Sequence, residues 1–214
     1  MVSKSPGRAT LMHPEHRKYY LVPITSTIGI KTMIEDFDCG NENINKFLKE
    51  KSLGEKALDE LVTFILIDGQ KRCIAGFFSS TTGSMEFAEK QENDDFEKSE
   101  ETFINLAYFA IDKRYQRRGL GRSLMVEFFR LSLTIAFYTK ISMIYLESVD
   151  ESVNFYKKLG YKLQDERKSP EKYHEYNNDT TNMDFPMLIS IPVLLDNGYL
   201  PYNSNFADKG VNFS

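Results

Sequence analysis

Apolar and polar positions along the chain recur with two different periods, and these periods predict its secondary structure. Apolar side chains at positions 120, 124, 128, 131 and 135 have the spacing of a helix that buries one face. Segments 61–67 and 141–146 are almost wholly apolar, which is typical of strands covered on both faces. We expect further strands at 19–24, 73–80, 105–111, 161–163 and 185–191, and shorter helices at 41–53 and 151–159.

The order of these elements predicts an α/β fold, with a mixed central sheet of about six to seven strands and helices on both faces. Residues 1–17 are expected to form a flexible N-terminal segment, residues 18–191 a single domain, and residues 192–214 a C-terminal tail. Segment 86–101 carries eight acidic residues and two lysines, and we interpret it as an exposed loop or helical insertion. The polar segment 164–182 is interpreted as a long loop.

Composition sets limits on function. The net charge of the 214-residue chain is −4, and subtracting the −6 of segment 86–101 leaves +2 elsewhere, so an anionic ligand is not excluded. No apolar run approaches the ~20 residues that span a membrane, and the N-terminus lacks the apolar core of a signal peptide. We therefore expect a cytoplasmic protein without a membrane partner. Cys39 and Cys73 lack metal-binding spacing, so no metal site is expected.

The most informative stretch is a strand at 105–111, a basic turn with two glycines, and the long helix. Glycine permits a positive φ, successive N–H groups in such a turn form an anion-binding nest, and the helix start adds free donors. The stretch predicts a phosphate-rich ligand; the alternative is a tight turn surrounded by solvated arginines. A P-loop would need Gly-Lys-Ser/Thr, and a dinucleotide fingerprint would need glycine in place of Leu124.

The turn Gln116-Arg117-Arg118-Gly119-Leu120-Gly121 resembles the acetyl-CoA loop of the GNAT acetyltransferase family, whose pattern is Gln/Arg-x-x-Gly-x-Gly/Ala. About ~40 residues later, Phe155-Tyr156-Lys157-Lys158-Leu159-Gly160-Tyr161 is similar to the family's second signature, Phe-Tyr-x-x-x-Gly-Phe/Tyr. The resemblance covers residues 20–191, apart from the acidic insertion. It implies the GNAT fold, with a splay between two central parallel strands near Ile111 and Ile144.

The resemblance also implies site residues. Tyr156 would protonate the departing CoA thiolate; the alternative is an aromatic side chain that only closes a helix–sheet interface. Glu147, Tyr108 or water remain open as the general base. The expected cofactor-binding residues, from pantetheine to diphosphate, are Phe109, Ala110, Ile111, Gln116, Arg117, Arg118, Gly119, Gly121, Arg122 and Ser123.

Segment Phe37-Asp38-Cys39-Gly40-Asn41 resembles a branch of the family that includes toxins acetylating the amino group of aminoacyl-tRNA. Toxins of this kind typically have basic surfaces, whereas the charge outside segment 86–101 is only +2. We therefore expect an acetyl-CoA-dependent N-acetyltransferase that moves an acetyl group to a primary amine by direct attack in a ternary complex. The alternatives are such a toxin, with aminoacyl-tRNA as its partner, and a catalytically inactive acyl-CoA-binding module. A homodimer is left open.

Overall fold

A computed structural model describes residues 19–26, 29–90, 96–176, 179–181 and 183–202, with the backbone alone at 87–90 and 96–98. The predicted flexible segment 1–17 lies outside the described residues. No helix in these ranges is long and apolar enough to cross a bilayer.

The centre of the molecule is a seven-stranded mixed sheet, which confirms the predicted fold class. Its strand order is β1-β2-β3-β4-β5-β7-β6, and the pair β4–β5 is parallel whereas the other neighbouring pairs are antiparallel. The strands are β1 (Tyr19–Pro23), β2 (Val62–Asp68), β3 (Cys73–Lys90), β4 (Phe96–Ile111), β5 (Ile141–Val149), β6 (Lys162–Leu163) and β7 (Asp184–Ser190).

Helices cover both faces of this sheet. The α4 helix buries Leu124, Phe128 and Phe129 in a core that also contains side chains of β4, β5 and β7. On the other face, Phe37 and Phe47 pack with Phe77 of β3 in a second core. The helices are α1 (Ile30–Glu35), α2 (Glu42–Lys46), continued by a π-helical turn (Phe47–Lys51), α3 (Glu55–Glu60), α4 (Leu120–Tyr138), α5 (Asp150–Lys157), α6 (Pro170–Glu175) and α7 (Ile191–Asp196).

The two parallel strands separate at one end. Pairing of β4 with β5 stops at Leu106 and Leu146, although β5 stays paired with β7 as far as Val149 and β4 with β3 as far as Ile111. Each strand thus keeps its outer neighbour while the inner ladder opens. The splay is present as predicted, but it begins two residues beyond Ile144, which still pairs with Ile104.

A bulge in β4 lies at the start of the splay. Ser80 pairs with Leu106 and Ser79 with Tyr108, so Ala107 is an extra residue on β4. The extra residue of a bulge shifts the side chains that follow it to the opposite face of the sheet. Leu106 therefore lies in the core with α4, whereas Tyr108 stacks on Phe47 on the other face, with ring centroids 3.7 Å apart. The bulge leaves Ala107 exposed, without a partner residue on β3 or β5.

The interpretation of segment 86–101 as a loop or helix was wrong. The β3–β4 ladder continues through this segment to the pair Lys90–Phe96, which makes it the outer half of a long hairpin; residues 91–95 lie outside the described residues. Cross-strand pairing satisfies the backbone, and a two-stranded ribbon leaves side chains free to face water, so its charges need no burial. The described side chains of Glu86 and Glu100 are exposed, as the charge indicated, whereas the predicted backbone conformation was wrong.

Segment 164–182 was predicted to be a loop, yet it contains α6. Ser169 caps this helix by accepting a hydrogen bond from the Lys172 N–H, and Pro170 occupies its first turn, where a proline loses no hydrogen bond. Beyond residue 191, the α7 helix buries Leu194, and the ring of Tyr199 lies 5.0 Å from that of Phe129 on α4. The described chain thus remains packed on the domain past 191.

Candidate acetyl-donor site

A cavity of about 980 Å³ lies where β4 and β5 separate. Its walls are the end of β4, the turn leading into α4, the first turn of α5 and the segment before α2. Of the predicted cofactor-binding residues, eight line the cavity: Phe109, Ala110, Ile111, Gln116, Arg117, Gly119, Gly121 and Arg122, together with the predicted acid Tyr156. Arg118 and Ser123 are not among its lining residues.

The turn before α4 presents a row of open main-chain donors. Among the described residues, no protein oxygen accepts a hydrogen bond from the N–H groups of residues 117–122. Arg117 and Gly119 both have positive φ, 58° and 80°, and such an alternating turn directs successive N–H groups to one side. A positive φ costs an arginine roughly 1 kcal/mol, so the surrounding fold must hold this turn. The turn and the helix start together can hold an anion.

Two predicted cofactor-binding residues have other partners. The side-chain amide of Gln116 donates to the carbonyl oxygens of Cys39 and Ile111, both at 2.8 Å, so it joins the turn to the strand end and to the opposite wall. The N–H and hydroxyl of Ser123 both donate to the Gly119 carbonyl, at 3.1 and 3.4 Å. Gln116 therefore shapes the cavity, and Ser123 closes the first turn of α4.

The strand ends offer main-chain groups to an extended ligand. In an antiparallel pair, alternate residues direct their N–H and C=O groups away from the partner strand. Past Leu106, the groups of β4 that point away from β3 face the splay, where β5 no longer reaches them. Ala107 and the cavity-lining residues Phe109 to Ile111 therefore border a gap that a narrow, amide-containing chain can enter as an added strand.

The wall opposite the turn is a compact polar network around Asp38. Its carboxylate accepts hydrogen bonds from the Gly40 N–H and Asn45 Nδ2, each at 2.8 Å, and from Lys113 Nζ at 2.9 Å. The hydrogen bond from Lys113, followed by those from Asn45 and Gly40, lowers the pKa of Asp38 to about 2. This network fixes the segment before α2 against the residues that follow β4.

Asp112 links the two walls of the cavity through hydrogen bonds. It is 1% exposed and accepts from the Asp38 N–H at 3.2 Å, as well as from the backbone and side chain of Arg114. Burial alone would raise the pKa of Asp112, but the hydrogen bonds from Arg114 outweigh burial and hold that pKa below its usual range. The sequence analysis did not identify Asp112 as a structural group, although the spacing Asp-x-Arg directly after a strand is a local signal for such a turn.

Tyr156 borders the cavity from α5. Its residue is 8% exposed, and its ring contacts those of Phe155 and Tyr161, with centroids 5.1 and 5.6 Å apart. The hydroxyl bonds no described residue, yet it is not one of the sealed polar atoms, which in the described part of the chain are Ser132 Oγ and Tyr161 OH. Burial raises the pKa of Tyr156, so the phenol keeps its proton at neutral and moderately alkaline pH. The hydroxyl is thus available to a group in the cavity.

The rim of the cavity near α5 contains a group that no sequence pattern indicated. Asp150, the first residue of α5, accepts a hydrogen bond from Thr180 Oγ1 and lies 2.7 Å from His174 Nε2. Thr180 and Thr181 line the cavity, although they belong to the segment that we predicted to be a loop. Residues brought in from such polar segments have no spacing that sequence alone can interpret.

The two base candidates differ in their surroundings. The ring of Tyr108 is stacked on Phe47 at an interplanar angle of 9°. Glu147 is exposed, and its Oε1 accepts a hydrogen bond from the Tyr145 hydroxyl at 2.9 Å. Burial, followed by this bond to Glu147 and the charge of Asp184, raises the pKa of Tyr145 to about 12.

Comparison with known proteins gives a consistent result. Residues 62–163 match the sequence model of the acetyltransferase (GNAT) domain. A solved structure described as a bacterial toxin is 24% identical with a TM-score of 0.67, and the match covers 84% of this chain and 94% of that one. AtaTR bound with AcCoA is similar at 18% identity and a TM-score of 0.65, over 83% and 96% of the chains. AtaT complexed with acetyl-methionyl-tRNAfMet is similar at 17% identity and a TM-score of 0.63, over 83% and 97%.

Proposed function

We propose that this chain transfers the acetyl group of acetyl-CoA to a primary amine, because its residues 62–163 match the GNAT acetyltransferase domain. The observation that carries the proposal is the row of open N–H groups at 117–122, which shares one cavity with the Tyr156 side chain. Main-chain N–H donors that can bind an anion lie at one end of the cavity, and a protonated phenol lies at the other. This arrangement suits a long thioester carrier with a diphosphate.

Each part of acetyl-CoA has a complementary part of the cavity. The diphosphate accepts hydrogen bonds from the N–H groups of 117–122, and the guanidinium groups of Arg117 and Arg122 add opposite charge. The pantetheine amides pair with the free edge of β4 inside the splay. The acetyl group then reaches the bulge, where Ala107 has no partner residue on β3 and its N–H can stabilise the oxyanion.

The proton balance of the reaction assigns a role to Tyr156. A neutral amine attacks the thioester carbonyl, a C–N bond forms and the C–S bond breaks, which releases a thiolate; the nitrogen loses its surplus proton to a base or to water. A thiol has a pKa of about 8.5, well below that of a buried phenol, so the thiolate alone is a weak base toward Tyr156. The Tyr156 hydroxyl stabilises the negative charge that develops on sulfur by donating a hydrogen bond to it, and its proton passes to sulfur along that bond as the C–S bond breaks. The phenol afterwards regains a proton from solvent.

The test of this role is Tyr156→Phe, with Tyr161→Phe as the matched control. The rings of Tyr156 and Tyr161 are in contact, and each variant removes the hydroxyl of one of them. The Tyr161 hydroxyl, however, is sealed from the cavity. We expect Tyr156→Phe to lower kcat by roughly 100-fold while the Kd for acetyl-CoA stays the same, since general acid catalysis contributes at least that much. Tyr161→Phe should retain kcat. An unchanged kcat in Tyr156→Phe would remove this residue from the mechanism.

A second candidate acceptor is aminoacyl-tRNA, which would make the protein a toxin. The observation that favours it is the segment 37–41, which resembles that branch and lines the cavity through Cys39, Gly40 and Asn41. The similar structure of AtaT holds acetyl-methionyl-tRNAfMet. The acidic hairpin does not favour it, because phosphate neutralisation dominates RNA affinity.

Induced expression in a bacterial host separates the two acceptors. A toxin should arrest growth and yield acetylated aminoacyl-tRNA, and the Tyr156→Phe variant should do neither. Normal growth with abundant, active enzyme would contradict the toxin assignment. We place the reaction in the cytoplasm, which agrees with the two free cysteines.

A further inference from the structure

We propose that Asp68 and Tyr115 are positioning residues for the acetyl donor, because the buried hydrogen bond between them fixes the turn whose open N–H groups receive the diphosphate. Neither side chain is among the described residues that line the cavity, so both act through that turn. This inference rests on the acetyl-CoA site proposed above and adds the hairpin between β2 and β3 as its support.

Tyr115 is the interior anchor of an otherwise exposed stretch. The structure describes all of residues 113–119, and within them only Tyr115 is buried, at 2% exposed. The stretch nevertheless contains Arg117 at positive φ, a conformation that persists only where the surrounding structure determines it. The Gln116 amide supports the turn from the cavity side. Tyr115, one residue earlier, supports it from the interior of the domain.

The hydroxyl of Tyr115 fixes the side chain in addition to its ring. It donates a hydrogen bond to Asp68 Oδ2 at 2.9 Å. This bond uses the only proton of the hydroxyl, so the Cys73 thiol, 3.2 Å away, is the donor to the phenol oxygen. Burial, followed by the bonds to Cys73 and Asp68, raises the pKa of Tyr115. The phenol therefore remains a hydrogen-bond donor to Asp68 at neutral and moderately alkaline pH.

Asp68 joins this phenol to the hairpin between β2 and β3. It is 0% exposed, and its Oδ1 accepts hydrogen bonds from the N–H groups of Gln70 and Lys71 at 3.0 and 3.1 Å. One carboxylate oxygen thus closes the hairpin turn, and the other holds Tyr115. Because a buried carboxylate that loses a donor is destabilised, these bonds fix its position. The hairpin therefore gives the turn before α4 a rigid support.

The consequence for a ligand is preorganisation of the N–H groups. Donors that already converge on one position bind a diphosphate more tightly than donors that must be ordered on binding. Tyr115 precedes Arg117, the first residue of the row of open donors, by two residues. A displacement of the Tyr115 side chain therefore reaches these donors through the backbone of Gln116. Asp68 thus lowers the Kd for a donor with a diphosphate without touching it.

A role for Tyr115 in packing alone makes a different prediction. Its ring lies 6.3 Å from that of Tyr19 in an edge-to-face arrangement, and Lys71 Nζ lies 5.1 Å from its centroid. Tyr115→Phe keeps the ring that makes these contacts and removes the hydrogen bond to Asp68. Packing alone predicts the Kd of the wild type for this variant, whereas positioning predicts a higher Kd.

The experiment measures the Kd for acetyl-CoA by isothermal titration calorimetry, with the full chain and the variants Tyr115→Phe, Asp68→Asn and Thr63→Val. Thr63 is the matched control, because its hydroxyl is also buried on β2 and hydrogen-bonds the Ser79 hydroxyl at 2.8 Å. We expect the Kd to rise about 10-fold in Tyr115→Phe and roughly 5-fold in Asp68→Asn, which keeps one acceptor oxygen. Thr63→Val should bind like the wild type.

A truncated donor separates positioning of the turn from a general loosening of the fold. Acetyl-pantetheine contains the thioester and the amides of acetyl-CoA but no diphosphate. We expect Tyr115→Phe to lower kcat/KM about 10-fold with acetyl-CoA and less than about 2-fold with acetyl-pantetheine. A generally loosened fold would lower kcat/KM equally with both donors.

The double variant tests whether Asp68 and Tyr115 act through one bond. Since both changes break the same hydrogen bond, the Kd of the double variant should be no higher than that of the weaker-binding single variant. Multiplied effects would overturn the assignment to this bond. Should Tyr115→Phe fail to fold, Asp68→Asn allows the same comparison with Thr63→Val.

The remaining results distinguish this inference from the proposed function. Equal Kd values for the wild type and Tyr115→Phe, or equal losses with the two donors, overturn the positioning role while acetyl transfer stands. A wild type that binds acetyl-CoA but acetylates no amine overturns the proposed function, and the Kd values of the variants still decide this inference. A wild type that does not bind acetyl-CoA overturns both.

Discussion

Two turns with a positive-φ glycine face each other across the cavity, and they use their main chains differently. In the turn around Gly40, the N–H groups of Asp38, Cys39 and Gly40 all donate to side-chain oxygens. In the turn around Gly119, the N–H groups of residues 117–122 bond no oxygen of the described chain. A Cβ at Gly40 would lie 2.9 Å from Lys113 Cε, whereas a Cβ at Gly119 would meet nothing within 4 Å.

This difference in the hydrogen bonding of the main chain indicates which glycine turn can bind a ligand. Both have the left-handed conformation, so conformation alone does not distinguish a structural turn from a binding turn. Satisfied N–H groups and close packing indicate that the first turn is a support, while open N–H groups beside a cavity make the second turn the proposed binding site. Asp112 is the link, because it accepts from Asp38 of the first turn and from Arg114 just before the second.

The largest effect is expected from Asp112→Ala, which removes this link. Loss of a buried hydrogen-bonded carboxylate should lower the free energy of unfolding by roughly 2–3 kcal/mol, since Arg114 remains partly solvated. The pKa of Asp112 is lowered in the fold, so its contribution is present above the unfolded pKa of about 3.9 and is lost as the pH falls toward the folded value. Urea denaturation of the wild type and the variant at pH 7 and pH 3 measures both the loss of unfolding free energy and its dependence on pH.

Asp165→Ala is the matched control for that variant. Asp165 accepts from the backbone and Nε of Arg167, as Asp112 does from Arg114, but it joins no second turn. We expect a much smaller loss of stability than for Asp112→Ala, because the Arg167 side chain is exposed and solvent screens its charge. Equal losses for the two variants would contradict the linking role of Asp112.

Gly119→Asp should weaken the site without unfolding the protein. A side chain at positive φ strains the turn, and a carboxylate beside the N–H groups repels a diphosphate. We expect the Kd for acetyl-CoA to rise about 30-fold, equivalent to roughly 2 kcal/mol. Gly198→Asp carries the same strain, at φ 83° in open space, and should leave the Kd unchanged. Isothermal titration calorimetry measures the Kd of each variant for acetyl-CoA. Comparable Kd values for the two variants would contradict the binding role of the turn around Gly119.

The smallest effect is expected from Gly40→Ala. The positive φ of 92° and the contact with the flexible end of Lys113 should cost about 1 kcal/mol of stability. Because the N–H groups of Asp38, Cys39 and Gly40 are already hydrogen-bonded, the Kd for acetyl-CoA should change less than 3-fold. A larger loss of affinity than in Gly119→Asp would reverse the comparison between the two turns.

Much of the fold could be predicted from periodicity. The apolar segments 61–67 and 141–146 are strands, and the helical spacing from Leu120 onward is α4. The charged hairpin and α6 were missed for a physical reason. Strand pairing and a Ser-Pro cap satisfy the backbone of a polar segment, while the prediction relied on burial of apolar side chains.

Most of the site residues predicted from the sequence share the cavity, but the partners of their side chains were not predicted. The glycine turn and Tyr156 lie on one cavity because strand and helix lengths bring them there. The side-chain partners of Gln116, Ser123 and Asp112 depend on distant residues such as Cys39, so no local pattern could assign them. The bulge at Ala107 is likewise a property of register between strands.

The account depends on where acetyl-CoA lies, and a crystal structure of its complex with the full chain tests this most directly. We expect diphosphate oxygens within 3.2 Å of main-chain nitrogens between Arg117 and Arg122, and the thioester sulfur within hydrogen-bonding reach of the Tyr156 hydroxyl. A diphosphate bound elsewhere, with those N–H groups contacting only water, would contradict it.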